Sequence, residues 1–210
     1  SAWAYPFLAT LTYGAVAVPI LHEFTADQIH NIVNHSDAKL LFVGDVVATQ
    51  IDTTKMPHLE GVIYIPDYSL VLSRTDKLTY AREHLNEMFG HKYPKYFRQE
   101  HISYYKEQSP DELALINYTS GTTGESKGVM LTYGQYDAAL FANSKVVPIN
   151  DSDRIMCFLP FTHIFERGWS CLGLTLGAEL IVNTYPHEIQ DSMRETKPTC
   201  MASVPRFWEK

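Results

Sequence analysis

Apolar positions along the chain alternate between two periods, and the alternation predicts short strands separated by helices. Trp3, Phe7, Leu8 and Leu11 recur at helical spacing, with Gly14 as a stop. AVAVPIL (15–21) then reads as a strand, tempered by Pro19. Thr25 or Asp27 is placed to cap a helix that runs to about His35 and buries Ile29, Ile32 and Val33. KLLFVG (39–44) and GVIYI (61–65) are short apolar runs with room for a short helix between them. Buried strands spaced by helices predict parallel β-α-β units.

Residues 66–110 break this rhythm. They are rich in charge and tyrosine, and predict a helix near Lys77–Phe89 followed by an irregular connection through Pro94. Beyond Pro110 the pattern resumes. Strands are expected at Leu113–Tyr118, Gly128–Thr132, Arg154–Leu159, Glu179–Asn183 and Thr199–Val204. Helices are expected at about Gln135–Val146, His163–Leu176 and Glu188–Glu195, with another starting in PRFWEK. The organisation is therefore a first α/β portion (1–65), a variable connection (66–110) and a second α/β portion (111–210). The fold class is α/β, with parallel sheets flanked by helices.

The 210 residues are enough for a sizeable core, and 45% hydrophobic against 20% charged residues fits a folded chain. The net charge is −7, from 17 basic and 24 acidic residues, which argues against a general nucleic-acid binder. Tyrosines interleaved with basic residues in 91–107 are read as a solvated linker rather than an RNA surface. Cys157, Cys171 and Cys200 form no C-x-x-C pair and are expected as reduced thiols in a cytoplasmic protein. His187 and Glu188 with Asp191 are the nearest approach to a ligand cluster, and are not read as a metal site. Residues 2–21 carry no charge, but Pro6, Gly14 and Pro19 interrupt them, so no transmembrane segment is expected.

One stretch asks for chemistry. NYTSGTTGESKGVML (117–131) places hydroxyls, three glycines and one lysine between two apolar runs. Read from the residues alone, it is either a polar turn or a phosphate cradle. Glycine lets backbone N–H groups approach an anion closely; hydroxyls bind phosphate oxygens or a cation; lysine adds a mobile charge. The spacing is not G-x-x-x-x-G-K-[ST], because Glu125, Ser126 and Lys127 follow Gly124. The apolar run after Lys127 predicts that the loop returns into a strand, without the help of a helix N-terminus. A second stretch, FLPFTHIFERGW (158–169), reads as strand, proline break and a helix that Thr162 would cap, with Glu166 in its first turn.

YTSGTTGESKG resembles the phosphate-binding signature of the adenylate-forming enzymes, with Ser126 where that family usually has proline. LPFTHIFER is similar to the L-P-x-x-H-x-F-E-R segment of the long-chain acyl-CoA synthetases within it, and SVPRFWEK to their V-P-R-x-x-E-K segment. The resemblance covers 113–210 well and 1–65 loosely. It implies part of the large N-terminal domain of such an enzyme, with a downstream magnesium-binding glutamate, a ribose-binding aspartate and a second domain expected beyond residue 210. It implies activation of a long-chain fatty acid by ATP to an acyl adenylate, then transfer to coenzyme A. By the same resemblance Thr119, Ser120, Gly121, Thr122, Thr123, Gly124 and Lys127 would bind the nucleotide, and Thr119 would also reach Mg2+. His163 would be catalytic and border the acyl carboxylate, and Trp169 would line the acyl site. For the helix as a whole an ordinary core role stays open beside the tunnel wall, as it does for Glu166 and Arg167. Phe207 and Trp208 are expected to pack inward. Alone, the fragment is expected to be inactive and open to self-association, and the parent to be cytoplasmic, with peripheral membrane contact left open. Two other functions stay open: adenylation of another carboxylic acid, and a noncatalytic nucleotide-binding module.

Overall fold

The computed structural model describes residues 2–21, 23–96, 109–119, 126–183 and 185–209. These fall into two compact units. The first takes described residues within 2–108 and 114–130, and the second those within 109–113 and 131–210.

The first unit begins with α1 (Ala4–Tyr13), which ends at Gly14 in the left-handed conformation, φ 82°. Only Pro6 and Phe7 of this helix are buried, and Leu8 stays exposed. The strand expected at 15–21 is reduced to one parallel bridge, Ala17 to Leu115. Pro19 lacks the N–H that would extend the ladder. Thr25 closes a capping box with Gln28 at the start of α2 (Ala26–His35), which buries Ile29, Ile32 and Val33 as expected, and His30 as well. The His30 ring accepts the Asp52 N–H at Nε2, 2.9 Å.

Strand β1 (Leu40–Val43), helix α3 (Asp45–Gln50) and strand β2 (Gly61–Tyr64) form a β-α-β unit, and the strands pair in parallel from Leu40–Gly61 to Val43–Tyr64. The sequence did not announce β3 (Leu70–Ser73), which adds antiparallel to β2 with a register shift at Val62–Ile63. Polar and charged residues crowd its flanks and hide a four-residue run. The helix expected at 77–89 is two, α4 (Asp76–Glu83) and α5 (Leu85–Lys92), broken at His84. Arg74 ties this region down: its Nη1 donates to the carbonyls of Met56 and Leu59, at 2.6 and 2.9 Å, and its Nη2 to that of Thr53 at 2.7 Å. The core gathers Ile29, Ile32, Val33, Val43, Met56, Leu59 and Val62 around Tyr118.

Tyr118 belongs to β4 (Leu113–Thr119), which pairs with β5 (Lys127–Thr132). A connection as short as 120–126 joins antiparallel neighbours.

In the second unit α6 (Tyr133–Val146) opens on a capping box of Thr132 and Gln135. Strands β6 (Arg154–Cys157), β7 (Glu179–Val182) and β8 (Cys200–Met201) form a parallel sheet in the order β7-β6-β8. Helix α7 (Ile164–Thr175) crosses from β6 to β7 and packs on both. It sits close: a Cβ on Gly173 would lie 2.6 Å from Ile155 Cδ1 and 2.9 Å from Leu180 Cδ2. Helix α8 (Ile189–Thr196) leads from β7 to β8, and α9 (Pro205–Trp208) follows. Strand β8 is shorter than the expected 199–204, because Ala202 to Val204 have left the ladder. The α/β class and the parallel, helix-flanked sheets are as expected, with β3 the antiparallel exception.

Candidate functional site

The candidate segment 119–127 begins and ends in two paired strands. Thr119 is the last residue of β4 and Lys127 the first of β5, and both side chains are exposed. Return of the chain into a strand at Lys127 follows the apolar run behind it. Ser120, Gly121, Thr122, Thr123 and Gly124 lie outside the described residues. Gly128 is closely packed. A Cβ there would meet Ile116 Cγ2 at 2.9 Å and the Tyr118 ring at 3.2 Å. Tyr118 itself is buried, with its hydroxyl 2.7 Å from His35 Nδ1, and burial raises its pKa above the usual phenol range. Thus the tyrosine of the motif anchors the strand that presents Thr119.

The second candidate region is the start of α7, wholly within the second unit. Strand β6 ends at Cys157, short of the expected Leu159, and after Pro160 the His163 N–H donates to the Pro160 carbonyl at 2.9 Å. His163, not Thr162, caps the helix: its Nδ1 accepts the Phe165 N–H at 3.4 Å. The ring itself is exposed, as are Ile164 and Phe165 beside it. Trp169 packs against Ile155, Cys157 and Ala178, and Leu172 is buried on the same helix. Phe207 packs against Phe158, with ring centroids 4.9 Å apart and the rings tilted by 45°, whereas Trp208 turns outward and remains 62% exposed, against the inward packing expected of it. Four residues of α9 are too few to bury two adjacent aromatic rings on one face.

Glu166 and Arg167 are both buried, 0% and 1% exposed, and serve different neighbours. Glu166 lies toward β6. Burial pushes its carboxyl pKa up to about 7, and the Cys157 thiol with the Phe158 and Leu159 main chain offsets only part of that. The Cys157 thiol, which accepts the Ser170 hydroxyl at 3.3 Å, is pushed up to about 12, also by burial. Arg167 lies toward Tyr136 on α6 and Cys171 on α7. Its Nη1 donates to the Thr162 carbonyl at 3.0 Å.

Buried polar atoms are nearly always hydrogen-bonded in folded proteins. Here Thr162 Oγ1, both Glu166 oxygens, Trp169 Nε1 and the Tyr136 hydroxyl are buried with no partner of good geometry among the described residues. All of them belong to α7, the turn before it or the helix beside it. Nothing in the periodicity of 158–169 signals this concentration; only the unusual pair of adjacent charges inside an apolar helix hints at it.

Among the described residues no His, Cys, Asp and Glu group could by itself hold a metal ion. Thr119 offers one neutral, exposed oxygen, which fits a magnesium ion held mainly by a nucleotide's own phosphates. No helix among the described residues is long and apolar enough to cross a membrane.

The family model of AMP-binding enzymes matches residues 1–210. The chain belongs to the AMP-binding enzyme family. Within it the chain is similar to long-chain-fatty-acid–CoA ligase 1 of Cavia porcellus, 27% identical over 98% of this chain and 30% of that protein. It is also similar to the peroxisomal long chain acyl-CoA synthetase 6 of Arabidopsis thaliana, 29% identical over 99% of this chain and 29% of that protein. The chain thus spans under a third of these AMP-binding relatives. A crystal structure of a long-chain-fatty-acid-CoA ligase from Archaeoglobus fulgidus superposes with a TM-score of 0.75 at 23% identity, covering 97% of this chain and 38% of that one. The fold is accordingly that of the N-terminal domain of the AMP-binding enzymes.

Proposed function

We propose that this chain is the part of a long-chain fatty acid–CoA ligase that binds the ATP phosphates and borders the acyl carboxylate. The observation that carries the reading is the pair of exposed groups, Thr119 and Lys127, at the two strand ends flanking the glycine-hydroxyl segment. Family membership and the long-chain ligases among its relatives support the substrate class.

In this reading the fatty carboxylate attacks the α-phosphorus of ATP, the bond to the β-phosphate oxygen breaks, and pyrophosphate leaves. The thiol of coenzyme A then attacks the acyl carbon, and AMP leaves. A carboxylate is a poor nucleophile toward an anionic phosphate, so neutralising charge and holding the reactants in line supply most of the rate. Lys127 and the segment Thr119–Gly124 hold the β- and γ-phosphates. Magnesium, when bound with the nucleotide, neutralises phosphate charge, and the Thr119 hydroxyl is the group of this chain that reaches it. His163 presents an imidazole edge to the carboxylate, with Ile164 and Phe165 as exposed apolar surface for the chain behind it. Trp169 contributes the inner wall of the acyl site, fixed by its packing on Ile155 and Cys157.

The test is Lys127→Ala in the full-length protein, read by ATP–pyrophosphate exchange driven by a long-chain fatty acid. Loss of one charge-assisted contact lowers exchange by about 10-fold or more. An unchanged rate would return Lys127 to the solvated surface and remove the phosphate role.

A further inference from the structure

The start of α7 shows how a single ring is aimed. His163 Nδ1 accepts the Phe165 N–H at 3.4 Å. A neutral imidazole has one donor and one acceptor nitrogen, so this bond leaves the proton on Nε2. The exposed edge of His163 is therefore an N–H donor. Its backbone is fixed on both sides: the His163 N–H bonds the Pro160 carbonyl at 2.9 Å, and the His163 carbonyl accepts the Arg167 N–H at 3.1 Å. The peptide just before it is held by a side chain. Arg167, 1% exposed, sends Nη1 to the Thr162 carbonyl at 3.0 Å.

Burying a guanidinium is costly, and an apolar residue of similar length would fill the same space on α7 without that cost. What the guanidinium adds is a rigid, directional donor across the turn. Phe161 packs this turn onto the core around Ile155 and Cys157, but Thr162 Oγ1 makes no hydrogen bond among the described residues, so the polar hold on the Thr162 peptide comes from Arg167.

We infer that Arg167 is a positioning residue for His163: it clamps the Thr162 carbonyl so that the His163 ring keeps its Nδ1 on the Phe165 amide and offers Nε2–H to the oxygen of the bound carboxylate. The inference rests on the proposed role of His163 beside the acyl carboxylate. Arg167 is 1% exposed, so its effect on the reaction travels through the ring. Removing it lets the turn and ring rotate, and the donor is then misaimed for part of the time. A misplacement of this kind lowers the rate of the adenylation step more than it lowers ATP affinity.

The experiment uses the full-length protein and hexadecanoic acid, with ATP–pyrophosphate exchange as the readout. His163→Ala, Arg167→Met, Arg167→Lys and the double variant His163→Ala with Arg167→Met are compared. Arg167→Met is expected to lower kcat about 10-fold with the KM for ATP within about twofold. Arg167→Lys, which keeps one donor, is expected to recover part of the loss. The double variant should be no slower than His163→Ala alone, since groups acting as one unit are not additive. If His163→Ala is slow and Arg167→Met multiplies that loss, the positioning role is overturned while the proposed function stands. If His163→Ala exchanges at the wild-type rate, the proposed role of the histidine falls and the positioning role with it. A measurement on the unmutated protein decides the matter even if Arg167→Met does not fold: long-range proton–nitrogen spectra with labelled histidine at pH 8. They should show His163 with its proton on Nε2, and a proton on Nδ1 overturns the inference.

Discussion

Glu166 should make the protein less stable as the pH rises toward neutrality. The carboxyl is 0% exposed, and burial lifts its pKa from 4.5 to about 7. In the unfolded chain it titrates near the ordinary value. Between these two values the folded form keeps a proton that the unfolded form has released. Unfolding then releases a proton, so stability falls with rising pH, by about 1.4 kcal/mol per unit. The contribution is fully present below about pH 4.5, is lost progressively up to about pH 7, and is gone above that. Across the window the loss amounts to about 3 kcal/mol. The perturbation is Glu166→Gln, which has nearly the shape of the protonated acid and cannot ionise. Urea unfolding of the purified chain, followed by circular dichroism at pH 5, 6, 7 and 8, gives the difference between the two proteins. Other groups titrate in both and cancel. The variant should match the wild type at pH 5 and exceed it at pH 8 by about 1 M in midpoint, taking an m-value of about 2–3 kcal/mol/M. Parallel profiles would refute the reasoning, because they would mean that Glu166 is ionised at no extra cost in the folded state.

Three further outcomes are expected. Trp169→Ala in the full-length protein should alter the preference between short and long fatty acids more than the KM for ATP, and an equal loss at all chain lengths would mean that Trp169 serves the core alone. Gly128→Ala should destabilise the chain by about 1 kcal/mol, the scale of a mildly overpacked contact, since the new methyl meets Ile116 and the Tyr118 ring; an unchanged urea midpoint would show that the strand pair yields freely. Tyr118→Phe should cost about 1 kcal/mol through the lost bond to His35, and a variant as stable as the wild type in the same assay would show that the bond contributes nothing net.

How much of this was legible in the sequence varies with how local the cause is. The capping box at Thr25 and the stop at Gly14 are decided within one turn of chain, and both stand as the residues suggest. The run of apolar positions in β1, β2 and β6 is likewise sufficient, because a strand buried in a parallel sheet has little polar alternative. Strand β3 fails this test: Leu70–Ser73 is short, half-buried and flanked by charge, and only the β2 edge makes it a strand. The break at His84 divides α4, which packs against β3, from α5, and the local pattern does not contain that contact. At the candidate site, Thr119, Lys127 and His163 are marked by residue type. Arg167 is not, since its effect depends on the direction of a guanidinium within a folded turn.

The unsatisfied atoms around α7 bear on why such a turn persists. Each buried polar group without a partner costs about 1–3 kcal/mol, and a chain selected for stability alone would replace several of them with apolar side chains. Thr162, Glu166, Trp169 and Tyr136 nevertheless keep theirs within one helix and its surroundings. Elsewhere in the same unit the buried Asn183 is satisfied, donating to the Tyr185 carbonyl and accepting from Ser192, although Ser203 Oγ, like the α7 groups, is buried without a partner among the described residues. The unit can therefore build closed polar networks, and it leaves this one open. The pH dependence that Glu166 gives to stability and the hold of Arg167 on the Thr162 carbonyl then arise in one place: polar groups kept in the buried base of α7, where the folded state bears their cost.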